Sequence, residues 1–289
     1  MEIPPDTRLV ALVGDPVAHS LSPRMQAAAF QARGLRWAYL ALRVRSQDLR
    51  EAVAGLRALG FAGANVTIPH KVAVCELVDE LDPSARRCGA ANTLVFDRGR
   101  RVVAFNTDVA GFARALAEHG VAAGGVNAVV LGAGGAARAA CAALGQLGSR
   151  RVTVMARRPQ AAEALCAQMR GEFPGTAFQA LPFDPGALEA ALRQAELVVN
   201  ATPVGMHPHE QESPVPDAAW LRAGQVVFDM VYNPPRTRLV RMAEQAGARV
   251  VGGLSMLVHQ GAAAFELWTG VEAPVEAMKQ AVGLLPAEV

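Results

Sequence analysis

The sequence predicts an α/β chain of two domains, and three observations carry that expectation. From Leu9 onward, short β-branched runs alternate with helix-length stretches, the βαβαβ order of a mostly parallel sheet. A glycine cluster, Gly132-Ala-Gly134-Gly135, stands between the apolar run 129–131 and an alanine-rich stretch 136–147, which reads as strand, tight turn and helix. The chain's 289 residues are enough for two ordinary cores.

Composition narrows the function classes. A net charge of +2 with dispersed arginines offers neither nucleic acid nor an anionic membrane a basic face. Hydrophobic content is 52%, largely alanine, yet no run approaches the roughly 18–20 residues of a membrane span. The start, Met1-Glu-Ile-Pro-Pro-Asp6, is acidic and broken by proline, unlike a signal peptide. Cys75, Cys88, Cys141 and Cys166 form no Cys-x-x-Cys pair, which predicts buried thiols in a reduced, cytoplasmic protein and no metal site.

In order, the elements are as follows. A first strand over 9–13 ends in Gly14-Asp-Pro16. Pro23 then opens a helix to about 32, with Ser22 as its cap. A strand over 37–44, a helix over 47–59 and a strand over 63–68 follow. Pro69 stops that strand, and Lys71 stands just past its carboxyl end, where open α/β sheets bind ligands. Lys71 and Lys279 are the only lysines in an arginine-rich chain. Lysine can give up a proton and arginine cannot; the alternative is a chance surface lysine.

A helix is expected over about 72–78, then Gly89-Ala-Ala-Asn92-Thr-Leu94, a hairpin-like turn at Asp97-Arg-Gly99, and a strand over 102–105. Asn92 and Asp108 flank this strand pair and are expected near each other, either as functional groups or as turn caps. A helix over 111–119 leads into the glycine-loop domain.

In that domain the glycines allow a sharp turn and close approach of a phosphate, and the helix start offers N–H groups to an anion. The next strand, 151–155, ends in Ala156-Arg157-Arg158. An NAD site carries an acid there for the ribose 2′-hydroxyl; two arginines suit a 2′-phosphate, hence NADP, with a solvated basic turn as the alternative. Helices over 160–169 and 185–194, strands over 176–180, 197–199, 225–230 and 249–251, and a helix over 236–246 complete the second sheet. The proline-rich stretch 207–217 reads as an exposed loop, with His207 and His209 solvated rather than ligating a metal. A helical tail runs from Gly252-Gly-Leu-Ser255 to near Leu285.

Eight stretches, in register nearly end to end, resemble the shikimate dehydrogenase family. They are Ser20-Leu-Ser22-Pro, Asn65-x-Thr67-x-Pro69-x-Lys71, Ala91-Asn92-Thr, Asn106-Thr-Asp108, Gly132-Ala-Gly134-Gly135-Ala136, Asn200-Ala-Thr202-Pro-x-Gly-Met206, Tyr232-Asn-Pro and Met256-Leu-x-x-Gln260. The resemblance implies a substrate domain of residues 1–109 plus 254–289 with a mostly parallel sheet, a Rossmann-like NADP domain of residues 110–253, and chemistry in a cleft between them. It implies reversible reduction of 3-dehydroshikimate to shikimate by NADPH, with Lys71 and Asp108 as the catalytic pair. Ser20, Ser22 and Tyr232 would offer hydroxyls to the substrate carboxylate, and Thr67, Asn92, Asp108 and Gln260 would meet the ring hydroxyls. The cofactor would contact Gly132, Ala133, Gly134, Gly135, Ala136, Ala156, Arg157, Arg158, Thr202, Met230 and Gly253. Expected partners are small molecules only, with no nucleic acid and no membrane, in a monomer or homodimer.

The chain departs from the family pattern at three places. Ala156 replaces a frequent Asn, Gly252-Gly-Leu-Ser255 replaces Asp-Gly-Leu-Gly, and Val109 replaces Gly. These leave room for a quinate/shikimate or aminoshikimate relative, although such relatives often carry Thr or Gly at the Ser22 position and an acid at the ribose 2′-position, and this chain has neither. A non-catalytic NADP-binding regulator is a third reading, which retained Lys71 and Asp108 argue against.

Overall fold

The computed structural model describes residues 4–97 and 101–284. The chain divides into two compact units, Met1–Gly111 with Leu257–Val289, and Phe112–Met256. Among the described residues no helix is long and apolar enough to cross a membrane.

The first unit is built on β1 (Arg8–Gly14), α1 (Ser22–Ala32), β2 (Trp37–Arg43), α2 (Leu49–Ala58), β3 (Gly63–Val66), β4 (Glu80–Leu81), α3 (Pro83–Cys88), β5 (Thr93–Phe96) and β6 (Val102–Phe105). Its sheet order is β2-β1-β3-β5-β6-β4. The β1–β2, β1–β3 and β4–β6 pairs are parallel; β3–β5 and β5–β6 are antiparallel, so the sheet is mixed. The parallel part is the βαβαβ segment legible in the sequence. The antiparallel part comes from β5 and β6, whose connection is too short for a crossover. Arg98 and Gly99 of the expected turn lie outside the described residues, as do Met1 to Ile3 and Leu285.

Three local expectations are corrected. Residues 72–78 form no α-helix: a single 3₁₀ turn, Ala73–Glu76, is followed by β4 and α3. Pairing wins there, because Asp79 N–H donates to the Val102 carbonyl and the Asp79 carboxylate accepts from Val102 N–H at 2.7 Å. Asp82 then caps α3 by accepting from Ser84 N–H at 2.8 Å, and Pro83 fits the first turn. Ser22 is not the cap of α1; that residue is Leu21, and Ser22 is the first helical residue. Its N–H donates to Ser20 Oγ at 3.2 Å, so the preceding serine serves the helix start. Finally α4 (Thr107–Glu118) begins four residues earlier than expected, because Asn106 Oδ1 accepts from Asp108 N–H at 3.1 Å.

The second unit holds β7 (Asn127–Leu131), α5 (Gly135–Gln146), β8 (Arg151–Met155), α6 (Pro159–Glu172), β9 (Ala177–Leu181), α7 (Pro185–Gln194), β10 (Leu197–Asn200), β11 (Val226–Asp229), α8 (Arg238–Gln245) and β12 (Arg249–Gly252). Every pair is parallel, in the order β12-β11-β10-β7-β8-β9. Numbered within the unit, that is the 3-2-1-4-5-6 order of the Rossmann fold, with its switch point between β7 and β10. The inner strands are buried on both faces: Val129, Val130 and Leu131 of β7 and Val198 and Val199 of β10 are at most 2% exposed. In the loop 207–217 the histidines are exposed, but Pro214 and Val215 are buried, so the loop is anchored in the middle.

The chain passes between the units within α4 and returns within α9 (Gly253–Thr269); α10 (Val275–Ala281) follows. In the first unit α9 packs closely because glycines lie at its contacts, Gly111 of α4 facing it and Gly261 on α9 itself. A Cβ on Gly111 would lie 2.7 Å from Gln260 Cβ, and one on Gly261 would overlap the Met25 side chain. That contact delivers Gln260 to the start of α4.

Candidate functional site

In the first unit the strand ends, the start of α4 and α9 bring four predicted residues, Lys71, Asn92, Asp108 and Gln260, into one polar cluster with Thr107, which was not among them. Lys71 Nζ donates to Asp108 Oδ2 at 2.5 Å, with the side chains 15% and 6% exposed. Asn92 Nδ2 faces Asp108 Oδ1 at 2.9 Å, Thr107 Oγ1 at 2.9 Å and Gln260 Oε1 at 3.2 Å. Its orientation is unambiguous: Thr107 N–H can only donate, and it lies 2.7 Å from the other amide atom, which must be the oxygen.

Backbone bonds carry these side chains. Lys71 C=O accepts from Ala91 N–H at 2.7 Å, and Asn92 joins β3 to β6 by accepting from Val66 N–H and donating to the Phe105 carbonyl. Thr67 is half-buried, its N–H bonded to the Val13 carbonyl and its methyl against Gly14, where no Cβ would fit. Ser20 is half-buried and Ser22 7% exposed at the start of α1.

Behind the cluster lies a buried set to which the sequence assigns no role. Tyr39 Oη donates to Asn65 Oδ1 at 2.7 Å, and Asn65 Nδ2 donates to Thr93 Oγ1 at 3.0 Å and to the Asn92 carbonyl at 3.1 Å. Asn106 Nδ2 donates to the Ala90 carbonyl at 2.7 Å and meets Cys88 Sγ at 3.0 Å. Asn65 and Asn106 stand in stretches that suggest the family; burial alone reveals that they brace it. Burial pushes the Cys88 thiol up to about 12 and the Cys166 thiol to about 11, and raises that of Cys141, so these thiols stay protonated and are poor nucleophiles.

The second unit carries the glycine turn at its switch point. Gly132 has φ +113°, and a Cβ there would lie 3.0 Å from the Ala201 carbonyl oxygen, so glycine is required. Gly134 caps α5, and no atom lies within 4 Å of where its Cβ would be. The open side of Gly134 lets a phosphate approach the turn without meeting a Cβ, and helix starts such as that of α5 offer N–H groups to an anion; Ala133 and Ala136 are half-buried there. Arg157 and Arg158 are exposed at the end of β8, after half-buried Ala156, as an anion contact needs.

Thr202 follows β10, and its N–H and hydroxyl both donate to Asn200 Oδ1, at 3.0 and 2.6 Å. Met230 follows β11 with its N–H on the Asn200 carbonyl at 3.1 Å, and Gly253 sits against it, where a Cβ would lie 2.6 Å from the Met230 oxygen. Ser255, one of the departures, is 2% exposed and donates its hydroxyl to the Glu118 carboxylate. Tyr232 is half-buried in the loop after β11, in the second unit.

Asp229 at the end of β11 carries no signal in the sequence. It is fully buried, and desolvation lifts its carboxyl to about 6 despite bonds from Thr237, Val231 and Asn200.

Comparison with known proteins agrees with this geometry. The chain matches the family models described as the shikimate dehydrogenase substrate binding domain over residues 12–94, shikimate / quinate 5-dehydrogenase over 115–230, and the shikimate 5′-dehydrogenase C-terminal domain over 253–282. It is 50% identical to a shikimate dehydrogenase (NADP(+)) of Methanopyrus kandleri over 96% of this chain and 95% of that one. Among solved structures it is similar to shikimate 5-dehydrogenase from Thermus thermophilus in complex with NADP(H) and shikimate, at 40% identity and TM-score 0.84 over 96% of this chain and 98% of that one. It is also similar to quinate dehydrogenase from Corynebacterium glutamicum in complex with NAD, at 32% identity and TM-score 0.87 over 96% and 99%. With half its residues shared with a relative along almost the whole of both chains, and each unit built as the family motifs require, the chain belongs to the shikimate dehydrogenase family.

Proposed function

We propose that this chain is an NADP-dependent shikimate dehydrogenase that reversibly reduces 3-dehydroshikimate to shikimate. The observation that carries the reading is the Lys71–Asp108 pair, 2.5 Å apart and braced by Asn92 beside Gln260. NADPH, when bound, supplies the hydride that reaches the ketone carbon. Lys71 donates a proton from Nζ to the ketone oxygen as negative charge grows there, and Asp108 holds the ammonium in line for that transfer. In the reverse direction the pair receives the hydroxyl proton. Ser20, Ser22 and Tyr232 hold the substrate carboxylate, and Thr67, Asn92, Asp108 and Gln260 hold the ring hydroxyls.

Residues 1–109 with 254–289 are the substrate domain and 110–253 the NADP domain in this reading. The Gly132–Ala136 turn receives the pyrophosphate, and Ala156, Arg157 and Arg158 border the 2′-phosphate. Thr202, Met230 and Gly253 complete the cofactor contacts. The cytoplasm is the proposed setting, supported by the four free cysteines, and the protein acts as a monomer or homodimer.

A quinate or aminoshikimate preference is the second reading, favoured by the likeness to quinate dehydrogenase. Ser22 and the arginines after β8 weigh against it. Steady-state rates with shikimate and quinate, each with NADP and NAD, decide. The proposal expects kcat/KM for shikimate with NADP to exceed every other pairing by at least about tenfold, a difference of ~1.4 kcal/mol in transition-state binding. A larger value for quinate replaces it with the second reading, and NADP binding without turnover points to a regulator.

A further inference from the structure

We propose that Asp229 is a positioning residue for the cofactor site: it clamps the loops after β10 and β11 into one arrangement that receives NADP. This rests on the reading that Thr202 and Met230, carried by those loops, contact the cofactor.

The clamp is a single buried carboxylate shared by three neutral donors. Asn200 Nδ2 donates to Asp229 Oδ1 at 2.9 Å, Val231 N–H donates to the same oxygen at 3.1 Å, and Thr237 Oγ1 donates to Oδ2 at 2.5 Å. Asn200 and Asp229 are 0% exposed and Thr237 1% exposed. Two of the donors also grip their own loops. Asn200 Oδ1 takes the N–H and hydroxyl of Thr202, and its Nδ2 reaches the Val204 carbonyl at 3.3 Å. Thr237 Oγ1 accepts from Val240 N–H at 3.1 Å and so caps α8. The loops are tied to each other as well, His207 N–H donating to the Asn233 carbonyl at 3.0 Å.

A carboxylate suits this place because it only accepts, and can take three donors at once. An amide of the same shape still accepts from Asn200 and Val231 through its oxygen. It turns an N–H toward the Thr237 hydroxyl, which must then rotate away. A fully buried carboxylate held by neutral donors costs desolvation, so its presence at the end of β11 answers to placement of the loops rather than to stability.

The test measures NADP+ binding by titration calorimetry, and KM for NADPH and for 3-dehydroshikimate, on the full chain. Asp229→Asn is expected to raise the NADP+ Kd and the NADPH KM by about tenfold, with the ketone KM within about twofold and the melting temperature not lowered. Thr237→Val should act the same way and Thr237→Ser should keep wild-type binding. The Thr237 pair decides the matter if Asp229→Asn does not fold. Wild-type NADP+ affinity in both Asp229→Asn and Thr237→Val overturns the proposal, as does an equal rise in both KM values together with a lower melting temperature. A wild-type chain that binds no NADP+ overturns the functional reading and the proposal with it; normal wild-type binding with unaffected variants sinks the clamp alone.

Discussion

Asn92 Nδ2 lies 2.9 Å from Asp108 Oδ1, the oxygen that Lys71 leaves untouched. One carboxylate is thus gripped from two sides, by a neutral amide and by an ammonium, and the ammonium keeps donors to spare for a substrate oxygen.

Lys71→Ala is expected to lower kcat by roughly 10²–10⁴-fold with a smaller change in KM, the scale of general acid–base catalysis. Lys71→Arg should not restore the rate, because guanidinium keeps its charge and holds its proton. Asp108→Asn should also be slow, and the double variant should lose far less than the two losses combined, since the pair works as a unit. These kcat values are compared in variants that still bind NADPH. A Lys71→Arg variant with wild-type kcat would leave Lys71 as an orienting charge only.

Asn92→Asp puts a second carboxylate against Asp108 in a place where Asn92 is 2% exposed. Like charges at hydrogen-bond distance inside a protein should cost about 3–5 kcal/mol and lower the melting temperature by many degrees. Asn92→Ser, smaller and neutral, should melt higher than Asn92→Asp. The idea fails if thermal melts put the aspartate variant level with wild type.

Arg157→Ala should weaken NADP by roughly 10–100-fold, the worth of a charge-assisted hydrogen bond, while NAD affinity stays the same. Titration with both cofactors checks it, and equal losses would show that Arg157 does not read the 2′-phosphate.

Ser20→Ala and Ser22→Ala should raise KM for shikimate more than they lower kcat, because a contact to a remote carboxylate is made equally in ground and transition states. Ser20→Ala should have the broader effect, since its Oγ also accepts from Ser22 N–H at the start of α1. A loss confined to kcat would place these serines elsewhere.

Asp229 makes stability depend on pH. Its folded carboxyl sits at about 6, above the roughly 3.9 of an unfolded aspartate. The native state therefore holds the extra proton between those values, and this contribution is lost as pH rises from about 4 through 6. The gap between the folded and unfolded values makes that loss about 3 kcal/mol. Asp229→Asn should remove that slope, so the variant gains on wild type as pH rises from 4 to 7. Parallel melting curves for both proteins across that range would show that Asp229 titrates normally.

Much of the fold is legible in the sequence because its signals are local. The β-branched runs, Pro69 and the glycine turn each act within a few residues, and the parallel sheet of the second unit follows from alternation alone. The segment 72–88 escapes such a reading because β4 exists only by pairing with β6, a contact no local pattern encodes. The start of α4 is misplaced for a related reason, since Asn106 can serve as a turn or as a cap until its other bonds are known.

The candidate site divides in the same way. Residue types and spacing single out Lys71, Asn92 and Asp108, and the resemblance to the family adds Gln260; lysine, carboxylate and amide are what proton transfer and polyol binding need. Only the folded chain could set Gln260 beside Asn92, 168 positions away, through the glycine contact of α9 with α4. Asp229 shows the limit most clearly. In sequence it is one acid at a strand end. Its carboxyl is raised by burial among β10, β11 and the segment after β11, where Asn200 at the end of β10 meets it only because the two strands lie side by side, and desolvation is a property of the fold rather than of the residue.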